Sequence, residues 1–488
     1  MKENFYDKFY KKSSISKAKA SDKEKKEISF KDSEHDFARP KNQRAPSPIK
    51  SEKNDRKRSH LHRKESSSGK SQALKRQEMF LKDRIPRDSQ KIIEEFDQIV
   101  ASVRNLSGKQ KVTLYTTIKN LSHQLTDDRS SRRLGYMNEA PYISAYISYF
   151  MWWNLVRLTR LFANLPDSSF DSLLKSEKPV ALDIGSGTLT VVIALWLARP
   201  ELRAKNISWY CMDLSQTALA AGEEVYLAIA AKTLRQENQS SDKEQKEVLP
   251  WNIIRVKGAF GTSIKEKADF ITCANVFNEI LQRNEMPTDF LAKKYTKNLL
   301  DYLKKGENSP ESSSQSLLLV EPGDPHSARF ISLMRDALIR ENFSPLAPCP
   351  HTFECPMAGR TKGKNSDDSG RNSKWCNFAF DTEDAPKNLL KISEKAGLPK
   401  DRAGLSFIFS SNAKRNPSQK DFSIRIASDF IRLPDLHKSA YYACSSKGLL
   451  LAVDQSHLQP KNGELIQIKM PEDLSERDQK SGAIIVRI

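Results

Sequence analysis

Short apolar runs alternate with longer amphipathic stretches through the middle of this chain. The runs at 180–184, 207–212, 252–257, 269–274 and 317–321 read as buried strands. The stretches 190–198, 215–233, 292–303 and 327–341 carry apolar residues at helical spacing. Strands separated by helices predict a parallel, doubly wound sheet with right-handed crossovers. Upstream, residues 86 to about 170 read as helical throughout. Ile92, Ile93, Phe96, Ile99 and Val100 recur at helical spacing, as do Val112, Leu114, Tyr115, Ile118 and Leu121, with Gly108 as the break between the two sets. An aromatic helix follows with Tyr142, Tyr146, Tyr149, Phe150, Trp152 and Trp153, expected mainly as core contacts. Downstream, 405–410 and 422–427 read as closing strands, and 449–453, 464–469 and 484–488 as a small β extension. The polar insert 236–246 reads as a surface loop. No internal repeat is visible.

Charge changes the picture at one end. Residues 1–85 hold 25 Lys and Arg against 13 Asp and Glu, a net +12 of the chain's +19. Few aliphatic residues accompany that charge, so the segment is expected to be a basic, disordered arm. Such an arm favours phosphate backbones through counterion release, or serves only as a solvated tail. No apolar core long enough for a secretory signal follows Met1, and Glu3, Asp7, Asp22 and Glu24 make a poor mitochondrial transit peptide. The uncharged run 140–156 is short for a membrane span and reads as a buried or interface helix, so no membrane partner is expected. Six cysteines in 488 residues suit a reducing compartment and thiolate chemistry.

Candidate chemistry concentrates at two places. The first is the stretch from Pro179 to Thr190, where Asp183 closes a strand and Gly185, Ser186 and Gly187 form a turn into a helix. Two glycines let the backbone bend without a Cβ in the path of a ligand. Amides at the helix start are expected to face the same crevice and favour a ligand with a phosphate or carboxylate. The D-x-G-x-G order fits the turn of class I S-adenosylmethionine (SAM) methyltransferases better than a G-x-G-x-x-G fingerprint. The same turn also occurs as plain structure in other α/β folds. Asp213 ends the next strand 30 positions later, placed to accept hydrogen bonds from a ribose diol or to cap a helix, with Ser215 as the cap residue. Asn275, ending the fourth strand, is expected to face cofactor and substrate. No Asn/Asp-Pro-Pro-Tyr motif and no catalytic cysteine pair is present, so no catalytic residue is named.

The second place is Cys349-Pro350-His351, Cys355-Pro356, Trp375-Cys376 and Cys444, with a polar insert at 359–373. Four thiolates suit an iron–sulfur cluster or a structural zinc, and His351 can replace one cysteine in a Cys₃His zinc site. Separate buried cysteines are the plain alternative.

Taken together, these residues resemble the small-ribosomal-subunit-associated, methyltransferase-like proteins of mitochondria and their bacterial relatives. The resemblance runs from about Leu121 to Ala452. It includes Leu182-Asp183-Ile184-Gly185-Ser186-Gly187, Asp213-Leu214-Ser215, Asn278-Glu279, Leu319-Val320-Glu321-Pro322-Gly323-Asp324-Pro325 and the cysteine series. It implies a class I SAM-methyltransferase (Rossmann-like) fold, with SAM at Asp183, Gly185, Ser186, Gly187, Asp213 and Asn275. It implies a [4Fe–4S] cluster on Cys349, Cys355, Cys376 and Cys444, and binding to the small subunit and its rRNA in assembly or translation. Leu189 stands where such proteins usually carry a third glycine and is expected to crowd a bound SAM.

The expected organisation is a basic arm (1–85), a helical region (86–175), a methyltransferase-like core (176–345) and a cysteine-rich region with closing strands and β extension (346–488). An active rRNA methyltransferase and a zinc-stapled RNA-binding module are the rival readings. The expected setting is the cytoplasm, or the mitochondrial matrix of a eukaryote, with no oligomer required.

Overall fold

The apolar runs pair as the spacing predicts. In the computed structural model, which describes residues 75–126, 135–240, 248–282, 284–304, 314–359, 374–413, 422–433 and 438–488, five strands lie parallel. They are β1 (Val180–Ile184), β2 (Ser208–Asp213), β3 (Asn252–Lys257), β4 (Phe270–Ala274) and β5 (Ser316–Glu321). Beyond β5 come β7 (Arg402–Ser411), antiparallel to both neighbours, and then β6 (Ser344–Ala347). The order is β3-β2-β1-β4-β5-β7-β6, and strand 378–381 also pairs with β7. This is the doubly wound, Rossmann-like sheet of class I SAM methyltransferases, with its topological switch between β1 and β4. Every residue of β1 and β5 is buried because both faces of the sheet are covered, whereas the edge strand β3 is mostly half-buried or exposed.

Helices cover the two faces. On the N-terminal side, α1 (Arg87–Glu94), α2 (Phe96–Val103), α3 (Gly108–Thr126) and α4 (Ala140–Ala145) lead through a π-helical stretch, Tyr146–Met151, into α5 (Trp152–Asn164). Apolar residues of α1, α2 and α5 share one core cluster with α6 (Thr190–Ala198) and α7 (Gln216–Ser240). α6 is buried at all nine positions, sandwiched between sheet and α5. After the short α8 (Phe277–Leu281), α9 (Thr288–Leu300) and α10 (Pro325–Arg340) fill the other face in a second cluster. A further helix is α11 (Lys387–Lys395). Among the described residues no helix is long and apolar enough to cross a membrane.

A second sheet carries the C-terminal part. It consists of β8 (Phe422–Ile426), β9 (Ile431–Leu433), β10 (Lys438–Ser445), β11 (Gly448–Asp454), β12 (Leu465–Ile468) and β13 (Ile484–Arg487). The short strand Arg76–Gln77 pairs with β12, and an Arg76–Glu464 ion pair holds it there.

The structure departs from the sequence reading at four points. Strand 422–426 joins the second sheet, and its expected closing role falls to β6. β6 contains Pro345 and a register shift before Ala347, features an edge position tolerates and a sequence pattern hides. Helix α7 continues to Ser240, through part of the expected loop 236–246, whose residues 241–246 lie outside the described residues. Cys444 lies on β10 rather than before a strand. Residues 75–85, counted with the basic arm, pack on the core through Met79, Phe80 and Ile85. Residues 1–74, the rest of the basic arm, lie outside the described residues.

Candidate cofactor crevice and four-cysteine site

The glycine turn is held from behind and from the side. Gly185 and Gly187 take φ of 69° and 51°. A Cβ on Gly185 would lie 2.2 Å from Val276 Cγ2, and one on Gly222 of α7 would lie 2.4 Å from the backbone of Thr188. Asp183, 1% exposed, accepts from Ser186 Oγ and Thr272 Oγ1, each at 2.6 Å. Burial, and after it the charge of Asp213, push the Asp183 carboxyl up to about 7, while those two hydroxyls oppose the shift. Asp183 and Ser186 therefore brace the turn and spend their polar atoms on it.

The turn amides are also engaged. Gly185 and Ser186 N–H donate to Met212 O at 2.8 and 3.0 Å, and Leu189 N–H donates to Ser186 O at 2.8 Å. Gly187 N–H donates to Asp213 Oδ2 at 2.9 Å, and Ser215 N–H to Asp213 Oδ1 at 2.8 Å. Four amides of the turn, those of Gly185, Ser186, Gly187 and Leu189, are thus taken by the chain's own acceptors. Asp213 stays half-buried, and the amides of Ser215, Gly187 and Leu214 leave part of the acceptor capacity of its two oxygens open. Burial raises its carboxyl, with the Ser215 and Gly187 amides pulling the other way. Ser215 caps α7 as expected, accepting from Ala218 N–H at 3.1 Å. Leu189 has a left-handed φ of 58°, yet its side chain is fully buried in the core. It does not project into the crevice, so the expected crowding of SAM by this side chain does not arise.

Across the crevice, Asn275 takes φ of 59° and its N–H donates to Val320 O. Glu321, buried at the end of β5, accepts from the N–H groups of Val276, Phe277 and Asn278 at 3.0, 2.8 and 3.1 Å. Burial pushes this carboxyl up to about 8 against those three amides. Glu321 is a site residue that sequence reasoning passed over; its signal is an acid closing a wholly apolar strand. Tyr146, from the π-helical stretch, feels the charges of Glu279 and Asp213 and hydrogen-bonds Asn154; burial first, then those acids, push its phenol up to about 12.

The structure brings the four candidate cysteines into one neighbourhood. Cys349 and Cys355 lie in the loop after β6, Cys376 before strand 378–381, and Cys444 on β10. Cys444 feels the charges of Cys355, Cys349 and Cys376, Cys376 those of Cys355 and Cys349, and Cys355 that of Cys349. Burial is the main cause that lifts Cys355, Cys376 and Cys444 above the ordinary thiol range. Arg335 of α10, 2% exposed, donates through Nε to Cys349 Sγ at 3.2 Å and through Nη2 to His351 O and Phe353 O. Arg425 of β8, 6% exposed, donates to Pro348 O and Gly463 O at 2.8 Å and faces Cys349, Cys444 and Cys376. His351 Nε2 lies 3.2 Å from Cys444 Sγ. Among the described residues, no group of three or more His, Cys, Asp or Glu is arranged to hold an ion as it stands. Cys211 and Cys273 are buried separately on β2 and β4.

The family model described as "Mitochondrial small ribosomal subunit Rsm22" matches residues 174–427, more than half of the chain. The chain belongs to the Rsm22 family. The Rsm22 match takes in the glycine turn, Asp213, Asn275, Glu321, Cys349, Cys355, Cys376 and both buried arginines; Cys444 lies beyond it. A search of curated proteins returns no match. Solved structures that are similar include the ribosomal protein L11 methylase of Lactobacillus delbrueckii subsp. bulgaricus (16% identity, 36% of this chain and 68% of that one, TM-score 0.22). Another is the plantazolicin methyltransferase BpumL in complex with SAH (12%, 62% and 98%, TM-score 0.27). A third is the precorrin-6y C5,15-methyltransferase of Geobacter metallireducens (12%, 51% and 86%, TM-score 0.25). Scores of that size add nothing to what the strand order already carries.

Proposed function

We propose that this protein binds the small ribosomal subunit and its rRNA during assembly or translation. In this reading it carries a [4Fe–4S] cluster on Cys349, Cys355, Cys376 and Cys444. The observation that carries the cluster is charge. Arg335 and Arg425 are buried cations turned on the thiols. Asp336, the ion-pair partner of Arg335, is about one-third exposed; Arg425 forms no ion pair among the described residues, and the one carboxylate acting on it, Glu464, ranks after the three thiols and is itself paired with Arg76. Buried charge needs a nearby countercharge. Neutral thiols supply none, whereas four thiolates on a divalent centre leave a dianion between the two guanidiniums. The donor set therefore fits a thiolate-held metal centre, and the family resemblance favours iron–sulfur over zinc. When bound, the cluster supplies a cross-link between the two sheets that responds to iron and oxidant.

The crevice supports SAM binding without a named catalyst. Asp213 has acceptors left for a ribose diol, Gly187 and Asn275 line the turn and the opposite wall, and Asp183, Gly185 and Ser186 set the turn's shape. No side chain is assigned as a general base, so binding rather than methyl transfer is the favoured role. The setting is the cytoplasm of a bacterium or the matrix of a mitochondrion.

Purification without air, with iron, sulfide and zinc analysis and co-sedimentation with small subunits, tests the reading. Iron and sulfide should be present, and Cys444→Ser should lower both. Stoichiometric zinc without sulfide would make the protein a zinc-stapled module. Failure to co-sediment would remove the ribosomal role. Transfer of labelled methyl from SAM to rRNA of isolated subunits would establish the active-enzyme alternative.

A further inference from the structure

Two cations stand near the crevice with no carboxylate opposite them. α5 buries every side chain from Trp152 to Asn164 except Asn154 and Arg157. These two are three positions apart and so share one face of the helix. Arg157 donates to Asn154 Oδ1 and, through Nη1 at 2.7 Å, to Gly404 O at the start of β7. Lys400, half-buried just before β7, holds its Nζ 5.1 Å from the centre of the Trp153 ring. The charged group that acts on Lys400 is Arg157, of the same sign, and neither forms an ion pair among the described residues. Burial, with Arg157 second, pulls the Lys400 ammonium down to about 8, and burial pulls Arg157 down to about 10. The acids nearby, Glu279 and Asp213, act on Tyr146 instead.

Like charges held together in partly desolvated surroundings are costly unless an anion joins them. The ring of Trp153 offsets only part of that cost for Lys400. A guanidinium with unused donors beside an ammonium matches the oxygens of a phosphate. Position selects among anions. Gly404 lies on β7, and the order β1-β4-β5-β7 puts three strand spacings, about 14 Å, between β7 and the glycine turn. A SAM held at the turn would keep its carboxylate on the β1 side of that gap, leaving the other side to a substrate strand.

We infer that Arg157 and Lys400 form a seat for a backbone phosphodiester of the bound RNA, on the substrate side of the crevice. This rests on the rRNA-binding reading above. The seat fixes one nucleotide of a single strand next to the cofactor crevice, whether or not chemistry follows there.

Acylation of lysines by an amine-reactive ester, mapped by mass spectrometry on the full chain, tests the seat. Without ligand, Lys400 should react faster than the exposed Lys387 and Lys391, because more of it is uncharged. A short oligoribonucleotide at saturation, followed independently by fluorescence anisotropy, should slow Lys400 at least threefold while leaving Lys387 unchanged. Inorganic phosphate should give weaker protection of the same residue, and SAM none. Lys400→Met keeps the stem over Trp153 and should weaken oligomer binding about fivefold and flatten its salt dependence by about one phosphate contact. Unchanged Lys400 reactivity under saturating oligomer overturns the seat while leaving rRNA binding intact. Protection by phosphate with no oligomer binding overturns the assignment to RNA and, with it, the rRNA-binding reading. Protection by SAM alone assigns the pair to the cofactor and overturns the inference.

Discussion

Asp183 holds a proton that its unfolded counterpart would release. Its native carboxyl sits near 7, against an ordinary value near 4. Between those values the folded chain binds more protons than the unfolded one, so this residue lowers stability as pH rises through that window. Asp183→Asn has no proton to lose. Urea unfolding at pH 5 and pH 8 should show a drop in the wild type, of order a few kcal/mol, that is clearly smaller in the variant. Equal drops would mean that the carboxyl ionises at its ordinary value. The D-x-G-x-G spacing was legible in sequence, but the direction in which Asp183 and Ser186 face was not. That direction depends on Thr272, 89 positions away and on another strand. Leu189 makes the same point: its left-handed backbone turns the side chain into the core, which spacing cannot reveal.

Elements hold the turn as firmly as residues do. Gly222 lets α7 touch the backbone of Thr188, and no side chain fits between them. Alanine is the better helix former by about 1 kcal/mol. Gly222→Ala should nonetheless lower stability by about 1–3 kcal/mol, the range for overpacking, and weaken SAM binding in calorimetry. A variant more stable than wild type would show that the helix shifts at no cost. Glu321 ties the start of α8 to β5 through three amides. Above pH 8, where Glu321 is ionised, hydrogen exchange at 276–278 should be about tenfold quicker in Glu321→Gln than in the wild type, with the amides of β1 unchanged. No change in exchange would mean that the carboxylate is not what holds the segment. Sequence made the parallel strands visible because burial on both faces leaves continuous apolar runs. It hid β6, where Pro345 interrupts the pattern, and it could not say which sheet 422–426 would join. An alternating strand fits any sheet with one covered face.

Across the whole molecule, the cysteines gather from three distant stretches, and Arg425 of the second sheet reaches over to Pro348 beside them. The cysteine motif was legible in sequence; its arginines were not singled out. Their signal is a charge within an otherwise apolar helix face and within the alternation Phe422-Ser423-Ile424-Arg425-Ile426. If the centre cross-links the sheets, removing iron with a chelator should expose 422–488 to proteolysis well before 180–345 is cut. Fragments identified by mass spectrometry would show the order, and simultaneous loss of both regions would argue against a local cross-link.

Strand Arg76–Gln77 finds its partner 388 positions downstream, where Arg76 meets Glu464. Synthesis runs from the N-terminus at roughly 5–20 residues per second, so that partner emerges about 20–80 s after the strand itself. For all of that time Met79 and Phe80 lack the Gly463 side of their packing, and Phe80 also waits for Phe380. The segment thus settles long after it leaves the tunnel. A nascent chain stalled before residue 465 leaves these two apolar side chains open on one side, a natural point for chaperone capture.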